Sequence, residues 1–528
     1  MDSTPLTGIV RVLRSRAEHD AERSALTFLT AGADSAGITL TYRELDARAR
    51  AFAATLQRAN AAGQRALLLF VPGIDYIVGF LGCLYAGVIA VPAYPPGPAR
   101  ANRHLARLQA VIDDADAELV LTMRSVAETA ATGALVRPAG GLRWIASEDV
   151  DLGAADDWRP PSEADSNAFL QYSSGSTGNP KGIIVSHASL SANLAAIERS
   201  FEIQRDDTAV LWLPPYHDMG LIGGILSPLW SGYRVVLQPP ASFLQRPLGW
   251  LRAISRHGGT VAGGPSFAFD LCARRATPAD IAGLDLHRWQ IAFCGAEPIR
   301  AATLDRFAEV FAPCGFDRRA FYTCYGLAES TLLVTGSRRG SPPLVRRLDR
   351  DALEAGQARD ADAGADAEAA GSGIRPGIAA VGCGHAPDGH EVAIVAPESR
   401  VRMPPGEVGE IWVRGPSVAR GYWGQPELTA RVFEATLAGE PERKLGRDRG
   451  TNPAPAYRYL RTGDLGFVAD GELFVTGRIK DLLILRGRNL YPQDIELTVE
   501  QADPAIRATG GAAFGVEIRG EEQLVIVA

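Results

Sequence analysis

The sequence predicts an α/β protein whose parallel sheets are wrapped by helices, and three observations carry that expectation. At 528 residues the chain exceeds what one hydrophobic core usually organises, so at least two domains with a large α/β body are expected. From Arg65 onward, short apolar runs (ALLLFV, VIAVPAY, ELVLT) alternate with helical stretches, the order that buries a parallel sheet between helices. After Ala380 the pattern turns to closely spaced β runs (VGCG, HEVAIVAP, EVGEIWVRG) separated by Pro/Gly turns, which predicts a small β-rich, barrel-like subdomain.

Composition narrows the class. The 54 basic and 61 acidic residues leave a net charge of −7, so nothing suggests a nucleic-acid surface. Six widely spaced cysteines with no C-x-x-C predict reduced, buried thiols in a cytoplasmic protein. The N-terminus lacks an apolar core followed by a small-residue cleavage site, unlike a secretion signal. Tyr76 to Ala93 is eighteen residues without a charge, which touches the lower limit for a membrane span. Gly79, Gly82, Gly87 and Pro92 interrupt it, so a packed helix followed by a buried strand is expected, with no stable membrane insertion.

Taken in order, the chain opens with an amphipathic segment around Ile9 to Leu13 and a strand, LTFLT. Thr41 with Glu44 three residues on reads as a capping box, and Leu45, Ala49, Phe52 and Leu56 mark one helix face. A later helix ends near Asp114, LRWIAS is a short strand, and an acidic connector from Glu148 to Asp165 leads on. Tyr172 to Gly182, YSSGSTGNPKG, is rich in Gly, Ser and Thr, so Ser173, Ser174, Gly175, Ser176, Thr177 and Gly178 can turn N–H groups and hydroxyls toward one anion. Lys181 adds a positive charge, and Ser186 to Phe201 reads as a helix burying Leu190, Leu194, Ile197 and Phe201. A solvated linker is the bland alternative, but linkers are seldom wedged between two apolar, strand-like segments; the Walker spacing is absent.

In AVLWLPPYHDMGLIGG two prolines fix a turn that presents Tyr216, His217 and Asp218, with Met219 opening an apolar, Gly-rich helix. A lone His is often a hydrogen-bonded structural residue, so the residues alone leave its role open. Strand 233–238, helix 250–258 and the turn Gly263-Gly264-Pro265 follow, leading into SFAFDLCARR with Phe267, Phe269 and Leu271. At Gly295-Ala296-Glu297 the lack of bulk lets a flat ring approach the backbone. In YTCYGLAEST, Tyr325 is suited to stacking on such a ring, beside Gly326, and Glu329 to coordinating a metal ion. Residues 337–376 contain little that looks like core and read as a loop or an insertion. GYWGQPELTARVF opens a helix that ends near Glu434, and Asp464 lies in a Gly-flanked turn before a strand.

These ordered motifs resemble the adenylate-forming superfamily, which holds acyl-CoA synthetases, peptide-synthetase adenylation domains, luciferases and fatty acyl-AMP ligases. LYAGVIAVPAYPP, LPPYHDMGLIGG, YGLAES, the 337–376 segment and RGRNLYPQDIE look most like a fatty acyl-AMP ligase. Ala328 stands where the superfamily usually has Thr, a departure common in that branch. The resemblance implies the adenylate-forming enzyme fold: a large body of two helix-wrapped sheets over residues 1–476, with an insertion at about 337–376. From 477 a hinge and a small α+β C-terminal domain begin, and the chain looks cut within it.

The implied reaction uses ATP and Mg2+ to turn a fatty acid into an acyl-adenylate with release of pyrophosphate. The acyl group then passes to the phosphopantetheine thiol of an acyl carrier protein. By resemblance, the loop Ser173 to Gly178 and Lys181 hold phosphates. Gly295, Ala296, Glu297, Tyr325 and Gly326 border the adenine, Asp464 and Arg478 fix the ribose, and Glu329 holds the metal. Tyr216, His217, Asp218, Met219 and Phe267 belong to the acyl and carboxylate side, with Phe267, Phe269 and Leu271 divided between core and acyl tunnel. Lys480 is the hinge, and a further superfamily lysine would lie beyond residue 528. An acyl-CoA ligase is the runner-up, and a non-catalytic nucleotide- or acyl-binding protein the reading from another class.

Overall fold

The structure, a computed structural model, describes residues 8–30, 36–95, 101–131, 141–161, 166–173, 180–362, 377–439, 458–485, 488–502, 506, 511–518 and 521–528. Two mixed sheets form the body. The larger has eight strands in the order Leu333–Gly336, Phe321–Gly326, Ile291–Cys294, Val261–Gly264, Thr208–Leu211, Arg234–Leu237, Ser24–Phe28 and Ile38–Thr41. Its interior neighbours pair in parallel, and only the two edge strands run antiparallel. The second sheet runs Arg143–Ala146, Leu119–Thr122, Arg65–Leu69, Ile89–Pro92, Asn167–Ser173 and Lys181–Ser186, parallel except for the last strand. A third, antiparallel sheet of four strands, Glu391–Val395, Gly409–Arg414, Leu460–Ala469 and Glu472–Arg478, corresponds to the β-rich stretch.

Local chemistry explains the helices between them. Helix Tyr42–Arg58 starts at Thr41, whose hydroxyl accepts the Glu44 N–H while Glu44 accepts the Thr41 N–H at 2.8 Å. A cap of this kind is worth about 1 kcal/mol. Leu45, Ala49, Phe52 and Leu56 form its buried face, as the spacing requires. The charge-free run becomes helix Ile74–Ala86, stopped by Gly87 in the left-handed region, and then strand Ile89–Pro92. A Cβ at Gly82 would lie 2.8 Å from the Phe52 Cβ, so glycine lets the two helices touch and the run packs as core. Among the described residues no helix is long and apolar enough to cross a membrane.

The segment after the first sheet differs from expectation. Within 337–362, strand Val345–Leu348 pairs with Ile378–Val381, and helix Arg350–Glu354 is capped by Asp349, whose carboxylate accepts the Ala352 N–H at 2.7 Å. Leu348 and Leu353 are buried with Leu465, Phe467, Phe474 and Tyr491. Core is therefore supplied by partners more than 100 positions away, which the polar composition of the segment hides; residues 363–376, including Ile374, lie outside the described residues. Beyond the third sheet, hairpin Leu483–Leu485/Arg488–Leu490, helix Pro492–Ala502 and hairpin Ala512–Ile518/Glu521–Val527 follow. An Arg300–Glu500 ion pair at 3.0 Å ties that helix to the body.

Candidate active site

The strands Ile89–Pro92, Thr208–Leu211, Ile291–Cys294 and Phe321–Gly326 deliver their C-terminal ends to one cavity of about 740 Å³, the crevice where open α/β sheets place ligands. Its wall holds Tyr216, His217, Asp218, Met219, Ala296, Tyr325, Gly326, Glu329 and Arg478 together. Ala296, in this wall, has φ +69, a conformation costing a residue with a Cβ about 1 kcal/mol.

Part of the wall is polar. The Tyr325 hydroxyl donates to Asp464 Oδ2 at 2.6 Å, and Arg478 Nε stands 3.3 Å from Asp464 Oδ1. Burial raises the Asp464 carboxyl above its ordinary value, and the Tyr325 hydrogen bond, Arg478 and Lys480 pull it back. Glu329 is raised chiefly by burial and further by Asp218 and Asp464, opposed by a backbone hydrogen bond and by the Tyr422 hydroxyl, which donates to Oε1 at 3.0 Å. Its charged neighbours are thus acidic, a setting that a divalent cation neutralises. Among the described residues no three His, Cys, Asp or Glu side chains gather as a metal cluster. Glu329 would offer one carboxylate to such an ion, which fits Mg2+, a cation that keeps waters and takes one or two carboxylates plus phosphate oxygens.

The turn after Leu211 borders the same cavity. His217 Nδ1 is 2.6 Å from Asp218 Oδ1, and that hydrogen bond raises the imidazole above its ordinary value against the opposing effect of burial. Asp218 also accepts the Met219 N–H at 2.7 Å and so starts helix Met219–Leu226, which is wound as a π-helix, not the α-helix that the apolar run suggests. A Cβ at Gly220 would come within 2.0 Å of the Pro214 carbonyl oxygen, so only glycine lets this wide helix close on the proline turn. The Tyr216 ring lies against Tyr94, with centroids 3.7 Å apart, and burial pushes its hydroxyl up to about 12. Apolar side chains share the wall: Ile197, Phe201, Phe293, Leu332 and Leu333.

Other expected site residues fall elsewhere. Gly295 does not face the cavity: its missing Cβ leaves room for the Cys324 carbonyl and thiol, 2.8 and 2.9 Å from where it would stand. Glu297 and Phe267 bond to each other, the Phe267 N–H donating to Glu297 Oε1 at 2.6 Å, and the Phe267 ring meets Trp212 at 6.1 Å, outside the cavity wall. Phe269 is wholly buried in the aromatic core and Leu271 packs partly against it. Lys181 holds its ammonium over the Tyr422 ring at 5.5 Å. Lys480 is exposed in the short turn Ile479–Asp481. Ser174, Gly175, Ser176, Thr177 and Gly178 lie outside the described residues, as does the side chain of Ser173, whose backbone pairs with Lys181. Sequence reasoning missed Arg107, Leu108 and Val111, which helix Ala101–Ala115 sends into the cavity; its amphipathic spacing was the only signal, and spacing does not say what a face meets.

Carboxylates and apolar side chains thus share one wall at the C-terminal ends of the parallel strands, and the comparisons with known proteins place this fold among the adenylate-forming enzymes. The AMP-binding enzyme family model matches residues 13–423. The medium-chain-fatty-acid–[acyl-carrier-protein] ligase JamA of Moorena producens is 41% identical over 530 residues, covering 100% of this chain and 86% of the relative. The long-chain-fatty-acid–AMP ligase FadD32 of Mycolicibacterium smegmatis is 37% identical, covering 97% of this chain and 80% of that protein. The crystal structure of the Legionella pneumophila fatty acyl-adenylate ligase in complex with acyl adenylate and pyrophosphate superposes with a TM-score of 0.80 at 39% identity, covering 98% of this chain and 85% of that one. The chain belongs to the AMP-binding enzyme family and, within it, to the fatty acyl-AMP ligases.

Proposed function

We propose that this chain joins a fatty acid to ATP, releases pyrophosphate, and passes the acyl group to the phosphopantetheine thiol of an acyl carrier protein. The observation that carries the reading is the single cavity, polar at Glu329, Tyr325 and Arg478 and apolar at Ile197, Phe201 and Phe293, which suits one molecule that is nucleotide at one end and hydrocarbon at the other. Its relatives' names supply the substrate class and the acceptor.

The chemistry asks for positioning and charge neutralisation more than covalent catalysis. Asp464, braced by Tyr325 and faced by Arg478, presents acceptor oxygens suited to ribose hydroxyls, and Tyr325, Gly326 and Ala296 form the wall for the adenine. Ser173 to Gly178 and Lys181 are assigned to the phosphates. His217, held by Asp218, is assigned to the fatty-acid carboxylate, which attacks the α-phosphorus in line. Mg2+, when bound through Glu329, supplies charge neutralisation on the phosphates. Residues 1–476 are assigned to the adenylating body, 477–528 to the hinge at Lys480 and a small domain that follows it, and 337–376 to the insertion. The six free thiols, five buried and Cys324 partly so, fit a cytoplasmic protein. A fatty-acid panel scored for acyl-AMP, CoA thioester and carrier-protein thioester tests the whole reading: acyl-AMP and carrier-protein thioester are expected, and nucleotide binding without any acyl-AMP would leave a binding protein instead.

A further inference from the structure

Residues 419–423, in ARGYW, run beside Lys181–Ser186, the strand that leaves the phosphate loop. The Ile184 N–H donates to the Gly421 carbonyl at 2.9 Å, Arg420 N–H to Ile184 at 3.0 Å and Trp423 N–H to Gly182 at 2.7 Å, with Tyr422 opposite Ile183. The same segment reaches the other side of the cavity, because the Ala419 N–H donates to the Glu329 carbonyl at 2.9 Å. Tyr422 lies at the middle of this clasp. Its N–H donates to Thr429 Oγ1 at 2.9 Å, Phe433 packs edge-on against its ring at 5.1 Å, and the side chain is 7% exposed. What the ring presents outward is used twice: its hydroxyl donates to Glu329 Oε1 at 3.0 Å, and its face carries the Lys181 ammonium at 5.5 Å. Tyr422 itself is not in the cavity wall.

We propose that Tyr422 is a positioning residue that holds the Glu329 carboxylate and the Lys181 ammonium in fixed relation, so that both engage one cation–triphosphate complex. The proposal rests on the reading of the cavity as an ATP site. A glutamate side chain turns about several bonds, and here Asp218 and Asp464 repel its charge, so the Tyr422 hydroxyl on Oε1, added to a backbone hydrogen bond, narrows the carboxylate to one orientation. The hydroxyl fixes Oε1 and so sets the plane that the carboxylate offers to a cation, the way an outer hydrogen bond orients a metal ligand. A purely structural Tyr would need only its ring, and phenylalanine supplies that. The hydroxyl therefore separates the two roles.

The test measures Mn2+, standing in for Mg2+, by electron paramagnetic resonance on the full chain with α,β-methylene-ATP. Tyr422→Phe is expected to weaken Mn2+ about tenfold while remaining folded and binding cation-free nucleotide within about twofold of wild type, since loss of an outer-shell partner acts on the metal. Glu329→Gln should weaken Mn2+ as well, and adding Tyr422→Phe to it should change nothing further. Tyr422→Leu, which also removes the ring under Lys181, should weaken the cation-free nucleotide. Wild-type Mn2+ affinity in Tyr422→Phe, or an undiminished effect of that change in the Glu329→Gln background, overturns the proposal. Unchanged cation-free binding in Tyr422→Leu overturns its Lys181 half. Absence of Mn2+ from the wild-type nucleotide complex would instead remove the ATP-site reading itself, and this proposal with it.

Discussion

Asp464 and Glu329 are carboxylates kept in a place where burial disfavours their charge, and each is bound by a tyrosine hydroxyl. For Asp464 the assignment to ribose predicts that Asp464→Ala weakens ATP binding by about 1.5 to 3 kcal/mol, the usual range for hydrogen bonds to a charged group. Calorimetry showing wild-type ATP affinity would remove Asp464 from the site. For Glu329 the prediction concerns stability. An acid whose native value is raised binds more protons folded than unfolded between its ordinary and its raised value, so stability is lost as pH rises through that window. Glu329→Gln should therefore melt at about the wild-type temperature in acid and increasingly above it as pH passes the ordinary carboxylate range. Nucleotide-free melting curves across pH check this, and parallel pH profiles for the two proteins would mean that Glu329 is not strained by its charge.

At the scale of elements, what the sequence disclosed was local and what it hid was long-range. The Thr41–Glu44 box was readable because its chemistry lies within one turn, and helix His187–Ser200 because Leu190, Leu194 and Ile197 recur along one face. The π-winding of Met219–Leu226 was not, because it follows from the approach of Gly220 to Pro214. Nor was the departure of Phe267 from the cavity, set by Glu297 thirty residues later. The order in 344–353 was concealed for the same reason, since Leu348 and Leu353 find Phe467, Phe474 and Tyr491 only in the fold.

That packing places the segment proposed as an insertion against Tyr491, beyond the proposed hinge at Lys480. Asp494, at the start of helix Pro492–Ala502, is raised by burial and acted on by Arg350 and Glu354 of the insertion and by Arg300 of the body. A thiol-accepting rearrangement about Lys480 would have to break these contacts. Leu353→Ala should remove roughly 2 to 4 kcal/mol of packing, a sizeable part of the ~5.5 kcal/mol that carries a two-state equilibrium from one extreme to the other. The expected outcome is some acyl-CoA thioester beside undiminished acyl-AMP. A folded variant that adenylates normally and makes no CoA thioester would show that this packing is not the barrier.

On the scale of the whole molecule, two sheets meet so that the C-terminal ends of their parallel strands open on one cavity. Alternating apolar strands and helices made that architecture legible, and the order of the motifs made the polar lining of the cavity legible too. The apolar lining was legible only as core, as at Ile197 and Phe201, because such residues obey the same burial rule whether they meet a neighbour or a ligand. The central claim is that nucleotide and fatty acid occupy this one cavity as a single chain of contacts. Its most direct test is a calorimetric titration with a non-hydrolysable acyl-adenylate mimic beside AMP and the free fatty acid. One site with affinity for the mimic far above that for either part is predicted; a mimic that binds no more tightly than AMP would contradict the account.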